Sequence, residues 1–294
     1  MSQKGARSGL ALCRRSGRGA RLPRAGAGWE SLGLAANVSR MWPQGRTGLV
    51  EGRAQEAPMS DRTGRDTGAT ASPTMPSIGQ DTTRTRLIAG VSAPDGPLIT
   101  AAIEYAQRLS EPYLFNHAMR SWLFSELIGR VKGIDFDREV VAIGTILHDI
   151  GLTSAVSGPH RFEVNGADGA LAFIRGRGVS DRRAQLIWDL VALNSTPSLA
   201  LHKEPEVAVG TMGIGLDYGG FGLPALQAGE IDRVLAAFPR LRMKERFSEA
   251  CCRLVKDRPE TSHDNFLRDF GERFVPGYKA VSTVDLLINA PFDE

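Results

Sequence analysis

The feature that most constrains this chain is a helical rhythm of apolar residues that starts at Pro97 and recurs to about residue 272, with almost no alternating β pattern. In PLITAAIEYAQRLS, Ile99, Ile103, Ala106 and Leu109 fall at three- and four-residue steps, which stacks them on one face of an α-helix. LFNHAMRSWLFSELIGR repeats the pattern with Leu114, Ala118, Trp122 and Leu123. DREVVAIGTILHDIG opens on Asp137, whose carboxylate suits the positive end of a helix, and Gly151 supplies a stop. Further helices are predicted over FEVNGADGALAFIRG, over SDRRAQLIWDLVALN with Ser180 or Asp181 as cap, and over PEVAVGTMGIGLDY with Pro205 in its first turn. Residues 228–255, broken at Pro239, and about 264–272 complete the set. The expected fold class is all-α, with one domain over residues 91–290. No apolar run approaches the roughly 20 residues that cross a bilayer, so no membrane partner is expected.

Residues 1–90 contrast with this. The first 58 hold ten Arg or Lys against three Asp or Glu, a balance of +7, which leaves −4 of the formal +3 for the rest of the chain. A mildly acidic folded part gives no electrostatic reason to expect nucleic acid as a partner. The tail is rich in Gly and Arg, and MSDRTGRDTGATASPTMPS that follows is dominated by Ser, Thr, Asp, Gly and Pro. Neither stretch carries an apolar face that could offset its ordering entropy, so residues 1–90 are predicted to be a disordered tail. Its acid-poor, Arg-rich start has the make-up of a transit peptide, and its charge also admits a nucleic-acid-binding arm, for which Trp29 and Trp42 offer few stacking platforms. The preferred reading is an over-long gene model whose true start is Met59 or Met75. Three cysteines, Cys13 and the adjacent Cys251 and Cys252, have no CxxC spacing and fit a reducing, cytoplasmic setting, with the adjacent pair in the core.

The residues that carry chemistry are few. His148-Asp149 stands at the end of an apolar helix, and consecutive helical residues point about 100° apart. Both can face one ion only where the helix ends and the backbone changes direction, a turn that Gly151 permits. A lone His-Asp pair also reads as a surface ion pair. His117 lies mid-helix in an amphipathic stretch, and Asp217 lies in the apolar, glycine-rich VGTMGIGLDYGGFG. Taken singly, His117 reads as a hydrogen-bonded core histidine and Asp217 as a helix-end cap. Taken together, two imidazoles and two carboxylates suit a divalent cation, which offsets the cost of burying them.

The order His117, His148-Asp149, Asp217 resembles the H…HD…D signature of the HD-domain superfamily of metal-dependent hydrolases. NHAMRSWLF, LHDIGL, FEVNGADGALAFI and GIGLDYGG resemble the branch that includes cyanamide hydratase, over about residues 97–280. The resemblance implies an HD-domain helical bundle that binds one divalent metal ion (zinc, iron or manganese) through His117, His148, Asp149 and Asp217. His148 and Asp149 would be catalytic, with Asp149 orienting a metal-bound water as nucleophile. The reaction implied is hydration of a cyanamide- or nitrile-like group, or phosphoester hydrolysis, on a small-molecule substrate. The alternative is a non-catalytic HD module that binds a nucleotide or other small ligand as a sensor. Oligomeric state stays open, a homo-oligomer included.

Five further residues are candidates for the substrate or for support of the ligands. Arg120, three residues after His117 on the same face, could meet an anionic substrate or brace an acid. Asn194 stands where the cyanamide hydratase-like branch usually carries a His, which argues against a second metal there. His202 could reach in from its loop or face solvent beside Lys203 and Glu204. His160 and Glu163 follow the HD pair, and Glu163 could simply stabilise a helix N-terminus. The walls of the pocket decide between substrates: an apolar wall favours a small neutral molecule, and clustered Arg or Lys a phosphate.

Overall fold

The computed structural model describes residues 84–292. The expectations for residues 1–83, a disordered tail and a later start among them, lie outside the described residues. Eleven α-helices make up most of what is described, and a two-stranded antiparallel hairpin is its sheet, so the fold is all-α as the periodicity predicts.

The hairpin pairs β1 (Thr85–Ile88) with β2 (Val91–Pro94), Thr85 opposite Pro94 and Ile88 opposite Val91. The boundary expected at residue 90 falls inside it. Ala89 (φ 51°) and Gly90 (φ 79°) form its two-residue loop, the paired positive-φ geometry that suits the twist of short hairpins. Four-residue strands joined by Ala-Gly rather than Asn-Gly carry little pattern, which is why the periodicity passes over them. Val91 and Ala93 are buried against the helical core.

The helices are α1 (Pro97–Leu109), α2 (Pro112–Lys132), α3 (Arg138–Leu147), α4 (Phe162–Ile174), α5 (Asp181–Leu193), the short α6 (Pro197–Ala200), α7 (Pro205–Gly219), α8 (Ala228–Ala237), α9 (Met243–Asp257), α10 (Leu267–Phe274) and α11 (Thr283–Ile288). The break expected at Pro239 separates α8 from α9. Asp137 caps α3 as its position suggests, accepting from the amides of Glu139 and Val140 at 3.1 Å each. Ser180 occupies the cap position of α5, but its side chain makes no capping bond.

The pair α2 and α7 is the spine, and α3 packs on both, with α5 and α1 around it. What allows α2 and α7 to touch is Gly213: a Cβ there would overlap Ser125 Oγ and Ser121 O and come within 2.6 Å of Ser125 N. Moving four residues on from Gly213 and four back from Ser121 brings Asp217 beside His117, so the closest point of the two helices sits one turn from the chemistry. Gly151 also acts through space rather than through its dihedral freedom, because a Cβ there would overlap Phe162 O at the start of α4. Two apolar clusters meet at this place. The larger includes Met119, Trp122, Ile143 and Leu190, and the smaller includes Leu114, Phe162, Phe247 and Cys251, so His117 lies between them on α2.

Asp137 does a second job, since Arg183 of α5 pairs with it at 2.6 and 3.0 Å. Burial works against its charge, but the Arg183 bond and the two capped amides outweigh it and hold the Asp137 carboxyl below its ordinary value. A depressed folded pKa gives stability that is complete above the unfolded pKa, near 3.9, and is lost as pH falls through the folded one. Asp137→Ala is expected to cost about 1–2 kcal/mol at pH 7 and distinctly less at pH 3, read by urea denaturation at both pH values.

Candidate metal centre

Helix α3 ends at Leu147, and the next two residues part company. His148 keeps φ −60°, ψ −30°, whereas Asp149 turns to φ −109°, ψ 10° before a 3-10 turn over Ile150–Leu152. That change of direction aims neighbouring side chains at one point, with His148 Nε2 and Asp149 Oδ2 3.1 Å apart. From the middle of α2, His117 brings its Nε2 to 3.2 Å from His148 Nε2 and 3.5 Å from Asp149 Oδ2. All three side chains are buried. Among the described residues, this is the group of His, Cys, Asp or Glu whose ligand atoms lie close enough together to hold a metal ion.

The other ring nitrogens fix what these atoms present. His117 Nδ1 lies 2.6 Å from Asp217 Oδ2, and His148 Nδ1 lies 2.8 Å from the carbonyl oxygen of Thr145. Carboxylate and carbonyl only accept, so both Nδ1 atoms carry hydrogen and each ring, when neutral, turns a lone pair on Nε2 toward the other. The third member, Asp149 Oδ2, is buried and accepts no hydrogen bond. Three lone-pair atoms facing one another repel unless a cation lies among them. Their spacing of 3.1–3.5 Å matches the separation of roughly 3.3–3.6 Å between neighbouring ligands around a tetrahedral ion at 2.0–2.2 Å. The residues present therefore fit a divalent metal.

Burial opposes charge on His148, but the adjacent Asp149 carboxylate outweighs it and raises the pKa. Burial lowers that of His117 despite Asp217. Burial likewise opposes ionisation of Asp149, yet His148 holds its carboxyl below the ordinary value.

Asp217, expected as a fourth ligand, lies outside the group of three and sets its Oδ2 against His117 Nδ1. Its Oδ1 and Oδ2 accept from Arg120 Nε at 2.7 Å and Nη2 at 2.8 Å, and Oδ1 also accepts from Arg240 at 3.0 Å. Against burial, which favours the neutral acid, the His117 and Arg120 bonds hold this carboxyl well below the usual carboxylate range. That contact with His117 Nδ1 is the one a carboxylate makes when it orients an imidazole, and it would serve so if His117 held an ion. Arg120, fully buried, braces that acid and also donates to the carbonyl of Phe238 at 2.8 Å, so it faces no substrate.

A cavity of about 180 Å³ opens on the triad. Its wall is largely apolar, with Met212, Ile214, Phe247 and Phe266, and among the described residues it includes Asn194, Ser195 and Thr211 but no Arg or Lys. Of the remaining candidates, Asn194 is on this wall. Glu163 is not, but it is fully buried and accepts from the Ser195 hydroxyl and from Arg161. His160 lies elsewhere, exposed in a surface cleft with Glu260 and Asp264. His202 is exposed and does not line the cavity, although its neighbour Leu201 does. Loop geometry decides this: the end of α6 turns Leu201 inward and leaves His202 outside.

Ser195, Thr211 and Arg240 escape the reading of the sequence. Thr211 shares an α7 face with Ile214 and Tyr218, three and seven residues on, and that spacing could have marked it once Asp217 was placed on the same helix. Nothing in FPRLR singles out Arg240. No protein-family model matches the chain, and no curated protein matches it either. No helix of the described residues is long and apolar enough to cross a membrane.

Removing the acid behind His117 leaves the Arg120 guanidinium buried without a carboxylate. Asp217→Ala is expected to cost about 3–5 kcal/mol of stability, measured by urea denaturation. Asp217→Asn, which keeps the volume, is expected to weaken zinc binding about 10- to 100-fold by freeing the His117 ring, measured by competition with a chromogenic chelator.

Proposed function

We propose that this chain is a metal-dependent hydrolase or hydratase acting on a small, polar, uncharged substrate. The observation that carries the proposal is the conjunction, among the described residues, of a buried triad whose Asp149 Oδ2 has no hydrogen-bond partner and a cavity, open to that triad, whose wall bears no cationic side chain. His117, His148 and Asp149 would hold the ion, His117 oriented by Asp217 and His148 by the Thr145 carbonyl. When bound, such an ion makes hydroxide available near neutral pH by lowering the pKa of coordinated water to about 7 in favourable zinc sites. Asp149, whose Oδ2 would hold the ion, also lines the cavity, so the rest of its carboxylate would be the group to accept or direct a proton there.

Of the two reactions suggested by the resemblance to HD-domain proteins, the cavity favours hydration of a cyanamide- or nitrile-like group over phosphoester hydrolysis. The nearby guanidinium groups are engaged elsewhere, Arg120 and Arg240 by Asp217 and Arg161 by Glu163, so among the described residues a phosphate would find no cationic side chain on the wall.

Elemental analysis of the purified protein should find near-stoichiometric zinc, iron or manganese, and His148→Ala and Asp149→Ala should each lose most of it. Metal retained in full by both variants sinks the proposal. A panel of cyanamide, small nitriles, nucleoside phosphates and phosphodiesters then tests the chemistry. Turnover of the neutral compounds alone is the expected result, and saturable binding of a nucleotide without turnover of any compound would establish a sensor instead. Because His148 holds a proton above its ordinary range, metal and proton compete there. Zinc affinity, measured by competition across pH 5.5–8, should therefore fall as pH falls, by about tenfold per pH unit where one proton is displaced.

A further inference from the structure

Three polar side chains on the cavity wall take no part in holding the metal, and each is in an unusual bonding state. Thr211 is 3% exposed and its Oγ1 has no hydrogen-bond partner. A buried hydroxyl left so is a standing cost to the fold. A helical threonine readily avoids that cost, as Thr145 does by donating to Val141 O. Ser195 has one hydrogen, and it goes to Glu163, which is itself fully buried and clamped by Arg161 at 3.1 and 2.8 Å. Arg161 also donates to Ser195 Oγ at 3.4 Å, so toward the cavity this oxygen can only accept. Asn194 spends its amide hydrogens on the carbonyls of His148 at 3.2 Å and Val191 at 2.7 Å, which leaves its Oδ1 as the uncommitted polar atom.

We propose that Asn194, Ser195 and Thr211 form the polar gripping side of the cavity and that they select a small uncharged molecule bearing N–H donors, such as the primary amide or urea that hydration of a nitrile- or cyanamide-like group yields. Two fixed acceptors, Asn194 Oδ1 and Ser195 Oγ, receive the donor hydrogens. Thr211 Oγ1, free to donate or accept, takes a further polar atom of the same molecule. An anion is rejected by this arrangement, since it would meet two acceptors and the Asp149 carboxylate. Glu163 and Arg161 are positioning residues, acting through Ser195. The inference deepens the function proposed above and rests on it in treating the cavity as a substrate site.

Acetamide and acetone test it, because they share a shape and differ in the N–H donors. Both are titrated into the full-length, metal-loaded protein carrying ¹³C-methyl methionine, with the Met212 methyl on the cavity wall as reporter. Acetamide should bind at least about fivefold more tightly than acetone, a difference of the size expected for hydrogen bonds made in a desolvated site. Thr211→Val and Ser195→Ala should each bring the two affinities to within about twofold. Thr211→Val should also keep or raise the thermal midpoint, because it deletes a hydroxyl with no partner; a structural threonine would lower it. Equal affinities in the unsubstituted protein overturn the inference, as does full selectivity in Thr211→Val or a lowered midpoint of that variant. The titration reads binding and not turnover. A protein that holds metal yet fails to discriminate the probes sinks this inference alone, whereas one that selects acetamide but retains no metal sinks the hydrolase reading and leaves the polar grip standing.

Discussion

The Asp217 carboxylate is the joint on which the rest of the site depends. It is nearly inaccessible to solvent, and it receives hydrogen bonds from the imidazole of His117, the guanidinium of Arg120 and that of Arg240. Those partners come from two places, α2 and the segment between α8 and α9, so one carboxylate on α7 ties three parts of the chain. Its charge is compensated, which makes burial tolerable. Its direction matters as much, because the bond to His117 Nδ1 decides which face of the ring is left for an ion. Fold and chemistry share one side chain here.

Around that joint, protein atoms leave specific things unfinished. The triad sets three potential ligand atoms together, and among the described residues Asp149 Oδ2 and the Thr211 hydroxyl beside it in the cavity have no hydrogen-bond partner. Buried polar atoms normally find partners. Where several near one another do not, the missing partner would belong to something that enters, on the proposed reading a cation at one end of the cavity and a polar molecule at the other. The apolar wall between, with Phe247 and Phe266, lowers the local dielectric and strengthens both kinds of contact.

Most of the helices were legible in the sequence because their signals are local. Asp137 as a cap, Pro112 and Pro205 in first turns and the break at Pro239 each act within a few residues. The convergence of His117, His148 and Asp149 was legible from an ordered pattern and from the need to compensate buried charge. The place of Asp217 was not, because ligand and supporting carboxylate are the same residue type at the same spacing, and only the side of the ring it touches tells them apart. Ser195 and Thr211 were invisible for another reason. Small hydroxyl residues are common, and what sets these two apart is a bond made to a distant buried Glu163 in one case and a bond not made in the other. The hairpin over residues 85–94 was missed because strands of four residues hold too little alternation to register.

Gly213 carries a consequence for how such a centre can be lost. The absent side chain sets the thickness of the gap between the two central helices, and the acid one turn away rides on that gap. Drift at this position would detune the imidazole geometry with every ligating residue still in its place. A chain carrying that change would keep the whole signature and lack the affinity, so the letters that advertise a metal are not the whole of what secures one.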